Sequence, residues 1–216
     1  MNNNLSKRIF TSIILSTILL SCLFLHKYSW LLLILIASII SFFEFNNLIK
    51  KIWKKNKGTI FLLNVVCLFY LYFFIILVYQ DGRISEFYTL SILLICILTD
   101  IGGYIVGRTI GGKKLTKISP NKTISGSIGS FLFSLIPCFL IFLFEISIAN
   151  LYKIVFLTLI LSFISQVGDL FISYFKRKSK IKDTGKIIPG HGGILDRIDG
   201  MIFAFPVTYL IYNFFY

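Results

Sequence analysis

Apolar residues in this chain fall in long, nearly unbroken runs, separated by short segments rich in Gly, Asn, Asp and Lys. Runs near 9–26, 28–49, 59–79, 87–107, 124–145, 149–175 and 198–216 each approach the roughly 20 residues that cross about 30 Å of hydrocarbon. Phe, Leu and Ile occupy every face of these runs, so they do not read as amphipathic helices on a soluble core. The pattern predicts an all-α, polytopic transmembrane helical bundle of about seven spans. It is expected to divide into three N-terminal spans (1–86) and a candidate catalytic region of four spans (87–216) with polar loops at 108–123 and 176–197. No internal repeat, low-complexity linker or separate soluble domain stands out.

Composition agrees with that pattern. Hydrophobic types make up 56% of the 216 residues and mean hydropathy is +0.86, outside the range of soluble globular domains. Cys22, Cys67, Cys96 and Cys138 each stand alone in an apolar run, without the paired spacing of a metal cluster, and read as packing residues. Lys7-Arg8 ahead of an apolar run has the outline of a signal peptide, and Leu19-Leu20-Ser21-Cys22 that of a lipoprotein cleavage site. Leu20 breaks the small-residue preference and more spanning sequence follows Cys22, so a first spanning helix is the better expectation.

The net charge of +13 gains meaning from where it sits. Of 22 Lys and Arg, 19 collect at the N-terminus and in the second, fourth and sixth loops, leaving Lys27, Arg83 and Lys153 for the other side. That alternation predicts a cytoplasmic N-terminus, Tyr216 outside, and polar loops facing the cytoplasm; a bacterial inner membrane is the expected location of this multi-pass protein. Topology accounts for the basic excess, and no nucleic-acid partner is expected.

The fourth and sixth loops carry more than charge. Asp100 lies eight residues before Arg108 and Asp169 seven before Lys176, which at 1.5 Å per residue puts each roughly 10 Å inside its helix's cytoplasmic end. A carboxylate there costs roughly 2.5 to 3.5 kcal/mol, so it normally faces a polar cavity, an ion or a basic partner. Asp196 and Asp199 enter the last run from the same side, so four carboxylates are expected to converge on one cytoplasm-facing pocket, a donor set suited to Mg²⁺ carrying phosphates. Gly102, Gly103 and Gly107 beside Asp100 allow close helix packing or close approach of a substrate. Gly111 through Gly126 mixes backbone donors, hydroxyls and ammonium groups suited to phosphate oxygens. The Gly107-x4-Gly112-Lys113 match to a P-loop is rejected, since Lys114 replaces the required Ser or Thr and a membrane helix precedes it.

The sixth loop runs Ser173-Tyr174-Phe175-Lys176-Arg177, then Lys182-Asp183, Pro189-Gly190-His191-Gly192-Gly193 and Asp196-Arg197-Ile198-Asp199. This 27-residue stretch resembles throughout the signature S-x-x-K-R-x4-K-D-x-G-x3-P-G-H-G-G-x-x-D-R-x-D of the phosphatidate cytidylyltransferase (CDP-diacylglycerol synthase) family. The resemblance extends upstream to Gln166-x-Gly168-Asp169, to Asp100-x-Gly102-x-Tyr104-x-x-Gly107-Arg108 and to Ser119-Pro120-x-Lys122-Thr123. It implies transfer of the cytidylyl group of CTP to phosphatidate, giving CDP-diacylglycerol and pyrophosphate, by a Mg²⁺-dependent homodimer among membrane lipids, with a second cation left open. Carried onto these positions, Asp169 and Asp196 are expected as metal ligands. Lys176, Asp183, Asp196 and Asp199 are the expected catalytic set. Ser119, Lys122, Thr123, Arg177, Lys182, His191, Arg197 and Asp100 are expected to bind substrate. One departure is Ser125, where many members have Glu, so a role for that carboxylate does not transfer. Two other readings compete: a CTP-dependent lipid or polyprenol kinase, and a cation-coupled transporter using Asp100 and Asp169.

Overall fold

The protein is described by a computed structural model over residues 3–84, 86–117, 119–138, 148–190 and 192–215. Its elements are α1 (Asn3–Leu25), α2 (Lys27–Ile52), α3 (Lys57–Ile84), α4 (Glu86–Thr109), α5 (Ile124–Ser134), α6 (Ile148–Lys178), the short α7 (Leu195–Ile198) and α8 (Met201–Phe215). Among the described residues, β pairing is confined to two isolated bridges, Lys114 with Thr123 and Ile188 with Gly192. The apolar runs are largely helical where they are described, with turns at Leu135 and at Asp199 and Gly200. α2, α3, α4 and α6 are long and apolar enough to cross a bilayer, the mark of a multi-pass membrane protein, while Phe10–Leu25, Ile124–Cys138 and Met201–Leu210 are shorter apolar helices. The last residues of the run expected at 124–145 lie outside the described residues.

The chain divides into two compact units: Met1–Glu86 with Phe175–Ile198, and Phe87–Tyr174 with Asp199–Tyr216. In the first, α2 packs against α1, α3 and α7. His26 caps α2 by accepting from Tyr28 N, and Asn56 Oδ1 accepts from Thr59 N at the start of α3. Phe61, Phe69 and Tyr72 of α3 remain exposed, as on a helix bordered by lipid, where burial against protein is not what the apolar side chain requires.

In the second unit the glycines set the packing. A Cβ built on Gly102 would run into Gly129 O and Phe133, and one on Gly129 into Gly102 O and Val106. A Cβ on Gly126 would meet Gly103 O. α4 and α5 therefore touch backbone to backbone, the close approach that small residues permit in membranes. The stripe beside Asp100 is thus a packing surface. Gly168 of α6 is held in the same way against Phe203 and Asp199 O.

Candidate functional site

Within the second unit, a cavity of about 290 Å³ opens between the polar ends of α4, α5 and α6 and the segment joining α4 to α5. Its lining includes Asp100, Ser119, Lys122, Thr123 and Asp169, all expected from sequence, together with Tyr104, Ser127, Ser130 and Gln166. Two of the four carboxylates expected to converge, Asp100 and Asp169, thus border one space.

Local chain chemistry delivers these groups. Gly111 and Gly112 take φ of 64° and 104°, the left-handed region that glycine enters without penalty, and turn the chain out of α4. The segment then folds back on itself, with Leu115 N donating to Lys122 O at 2.8 Å and Ile124 N to Lys113 O at 2.9 Å. This small hairpin holds Ser119, 8% exposed, and Lys122 at the cavity. Thr123 ends it as the N-cap of α5, its Oγ1 accepting from Gly126 N at 3.0 Å. Lys122 forms an ion pair with Asp169 Oδ2, and Ser173 Oγ donates to Asp169 Oδ1 at 3.2 Å. On the lining, Ser127 Oγ donates to Gln166 Oε1 at 2.6 Å; Gln166 Nε2 and Thr99 Oγ1 donate to Ser162 Oγ at 3.5 and 3.1 Å, so a chain of hydroxyl and amide groups runs from the cavity to buried Ser162 and Thr99. Asp199 also belongs to this unit, buried, with Oδ1 accepting from Gly200 N at 2.9 Å.

The first unit holds the rest of the signature. α6 ends in a Schellman motif: Ile181 N donates to Lys176 O and Lys180 N to Arg177 O, with Lys180 at φ 58° in the position glycine usually takes. Lys176 Nζ donates to Asp196 Oδ1 at 2.9 Å. Asp196 Oδ2 accepts from Thr184 N at 2.7 Å, Gly193 N at 3.0 Å and Thr184 Oγ1 at 3.0 Å. Four donors therefore meet one carboxylate. Burial pushes the Asp196 carboxyl upward, but the bonds from Lys176, Gly193 N and Thr184 N outweigh it and hold the group below its ordinary 3.8. Gly190 and Gly192, at φ 78° and 85°, shape the turn closed by Ile188 N donating to Gly192 O at 2.9 Å. Arg177, Lys182, Asp183 and Arg197 are exposed. His191 lies outside the described residues.

Glu44 escaped the sequence reading. It sits in α2 with 4% exposure, and its carboxylate accepts from Thr184 Oγ1, Ile194 N and Leu195 N. The available signal was the same as for Asp100 and Asp169: an acid inside an apolar run, here Phe42-Phe43-Glu44-Phe45.

No three His, Cys, Asp or Glu side chains form a ready-made metal cage among the described residues. The cavity fits a different kind of site. Two carboxylates with hydroxyl and amide oxygens make a hard-oxygen donor set, suited to Mg²⁺, which keeps several waters and binds through one or two carboxylates plus substrate phosphates. Asp196 fits a ligand role less well, since loop donors crowd Oδ2 and the Lys176 ammonium holds Oδ1, a cation that a metal at that oxygen would have to displace.

A family profile described as "Cytidylyltransferase family" matches residues 54–215. Similar proteins named phosphatidate cytidylyltransferase include one from Staphylococcus haemolyticus, 46% identical over 126 residues (57% of this chain and 48% of that protein). One from Staphylococcus saprophyticus is 43% identical over 135 residues (62% and 52%), and one from Staphylococcus aureus is 43% identical over the same length, with the same shares. The chain spans about half the length of these curated relatives. The profile covers well over half of the sequence, cavity and signature loop included, and the chain belongs to the cytidylyltransferase family.

Proposed function

We propose that this protein transfers the cytidylyl group of CTP to phosphatidate, forming CDP-diacylglycerol and pyrophosphate. The observation that carries the reading is the cavity where Asp100 and Asp169 face Lys122, Ser119 and Thr123 in a chain of this family. In the reaction, a phosphate oxygen of phosphatidate bonds to the α-phosphorus of CTP and the bond to the β-phosphate oxygen breaks, releasing pyrophosphate. The nucleophile is already ionised, so positioning and charge neutralisation dominate over base catalysis. Asp100 and Asp169 would hold Mg²⁺, which supplies positive charge to the phosphate oxygens as the bond to pyrophosphate breaks. Lys122, now on Asp169, would turn its ammonium to a phosphate oxygen, and the hydroxyls of Ser119 and Thr123 would donate to others. Lys176, Arg177, Lys182 and Arg197 supply further phosphate-binding charge on the strength of the signature, with Asp183 and Asp199 supporting them.

We propose that the chain makes about seven spans with a cytoplasmic N-terminus, opens its site to the cytoplasm of a bacterial inner membrane, and works as a homodimer. A reporter joined after Tyr216 is expected to read as external; a cytoplasmic reading overturns the span count. The deciding assay combines the purified chain with Mg²⁺, phosphatidate and CTP labelled in the cytidine. Label entering lipid with stoichiometric pyrophosphate supports the reading, whereas transfer of the γ-phosphate alone indicates a kinase and overturns it.

A further inference from the structure

Glu44 is a buried carboxylate that the proposed chemistry does not use. Removing such a group from water is costly unless donors meet it. Among the described residues, its donors come from Thr184, Ile194 and Leu195: Ile194 N at 3.1 Å on Oε1, with Leu195 N at 2.9 Å and Thr184 Oγ1 at 2.8 Å on Oε2. A separate observation points the same way. A Cβ built on Gly185 or on Gly193 would fall within 3.0 Å of the Glu44 carboxylate oxygens. These two signature glycines are where the loop backbone closes around an acid that lies outside the signature.

Asp196 takes the neighbouring donors of the same segment, Gly193 N and Thr184 N, and holds Lys176 Nζ with its other oxygen. The two carboxylates thus share out the amides of residues 184, 193, 194 and 195. The Thr184 hydroxyl stands within hydrogen-bond reach of both. Fixing Glu44 therefore fixes the loop, the loop fixes Asp196, and Asp196 fixes the ammonium of Lys176.

We infer that Glu44 is a positioning residue for the reaction, acting through Thr184 and the amides of Ile194 and Leu195 on Asp196 and Lys176. This rests on the reading that Lys176 meets the phosphates of CTP. A group misplaced by about 1 Å costs on the order of 10²-fold in rate.

The test uses the full chain in lipid nanodiscs, with labelled CTP, phosphatidate and Mg²⁺, for wild type, Glu44→Gln, Thr184→Val and Thr184→Ser. Amide hydrogen exchange is measured on the same samples. Gln preserves shape but turns one acceptor oxygen into a donor facing backbone N–H groups. Glu44→Gln is expected to speed exchange at 193–195 while α2 stays protected, to raise KM for CTP, and to lower kcat/KM by about 10²-fold. A smaller folded fraction alone would lower apparent kcat and leave KM unchanged, so the KM shift separates positioning from bulk stability. Thr184→Val is expected to raise KM in the same direction, and Thr184→Ser, which keeps the hydroxyl, to stay close to wild type. Protection retained in Glu44→Gln, or protection lost with kinetics unchanged, overturns the inference. If Glu44→Gln does not fold, a Thr184→Val variant with wild-type KM overturns it as well. Wild-type protein inactive on CTP and phosphatidate overturns the functional reading instead, and the link from Glu44 to the loop is then decided by the exchange data.

Discussion

Asp169 meets one ammonium and one hydroxyl, and its side chain is 26% exposed on the wall of a cavity; Asp196 meets four donors, and its side chain is 4% exposed. Both are aspartates of the family motifs, expected as metal ligands. The difference lies in what each partner can do. A lysine on a flexible stem can leave a carboxylate for a phosphate at little cost, so Asp169 is poised to exchange partners. Backbone N–H groups cannot leave without unfolding the turn that presents them, so Asp196 organises its loop.

The largest effect that sharpens this contrast is expected from Asp169→Asn: turnover lower by about 10³-fold with thermal stability close to wild type, measured by product formation and by melting in detergent. A variant that also melts much earlier would make Asp169 a structural residue like its counterpart. Asp196→Asn should remove most activity too, but with a stability loss of about 3 kcal/mol, because it leaves the Lys176 ammonium without its carboxylate in a largely buried setting. Unchanged melting of that variant would erase the distinction between the two aspartates. Gly102→Ala disturbs the α4–α5 contact and spares both aspartates; overpacking against Gly129 O and Phe133 is expected to cost about 1–3 kcal/mol.

A pH titration reads the loop directly. The folded Asp196 carboxyl is held below 3.8, so its contribution is fully present above that value and is lost as pH falls through the lower, folded one. Loop protection in hydrogen exchange should therefore stay level from neutral pH down to about 4 and drop only below it. The smallest effect is Lys180→Gly, which removes a left-handed non-glycine residue at the end of α6 and should stabilise by about 1 kcal/mol.

The long helices were legible because hydrocarbon imposes a length that composition must meet: the runs expected at 28–49, 59–79, 87–107 and 149–175 correspond to α2, α3, α4 and α6. The cavity group Asp100, Ser119, Lys122, Thr123 and Asp169 was legible through carboxylates in apolar runs and a loop rich in phosphate-binding residue types. Glu44 was not. Its partners are two backbone amides and one threonine some 140 residues or more away in sequence, and amides carry no residue-type signal. Nor does sequence say how many donors a carboxylate collects, which is why Asp169 and Asp196 looked alike. Gly185 and Gly193 read as turn residues, yet the structure gives them a second task, making room for an acid.

The backbone contact between α4 and α5 bears on how the cavity responds to its surroundings. Helices separated by leucines can breathe as rotamers interconvert; main chain resting on main chain has no rotamers to exchange. The wall carrying Gly103 and Gly126 is therefore the part of the cavity whose dimension varies least with temperature or with the thickness of the surrounding lipid. Adjustment to the bulk of a bound molecule then falls to the Leu115–Lys122 hairpin, which is closed by Leu115 N on Lys122 O and Ile124 N on Lys113 O and reaches α6 through the exchangeable Lys122 ammonium.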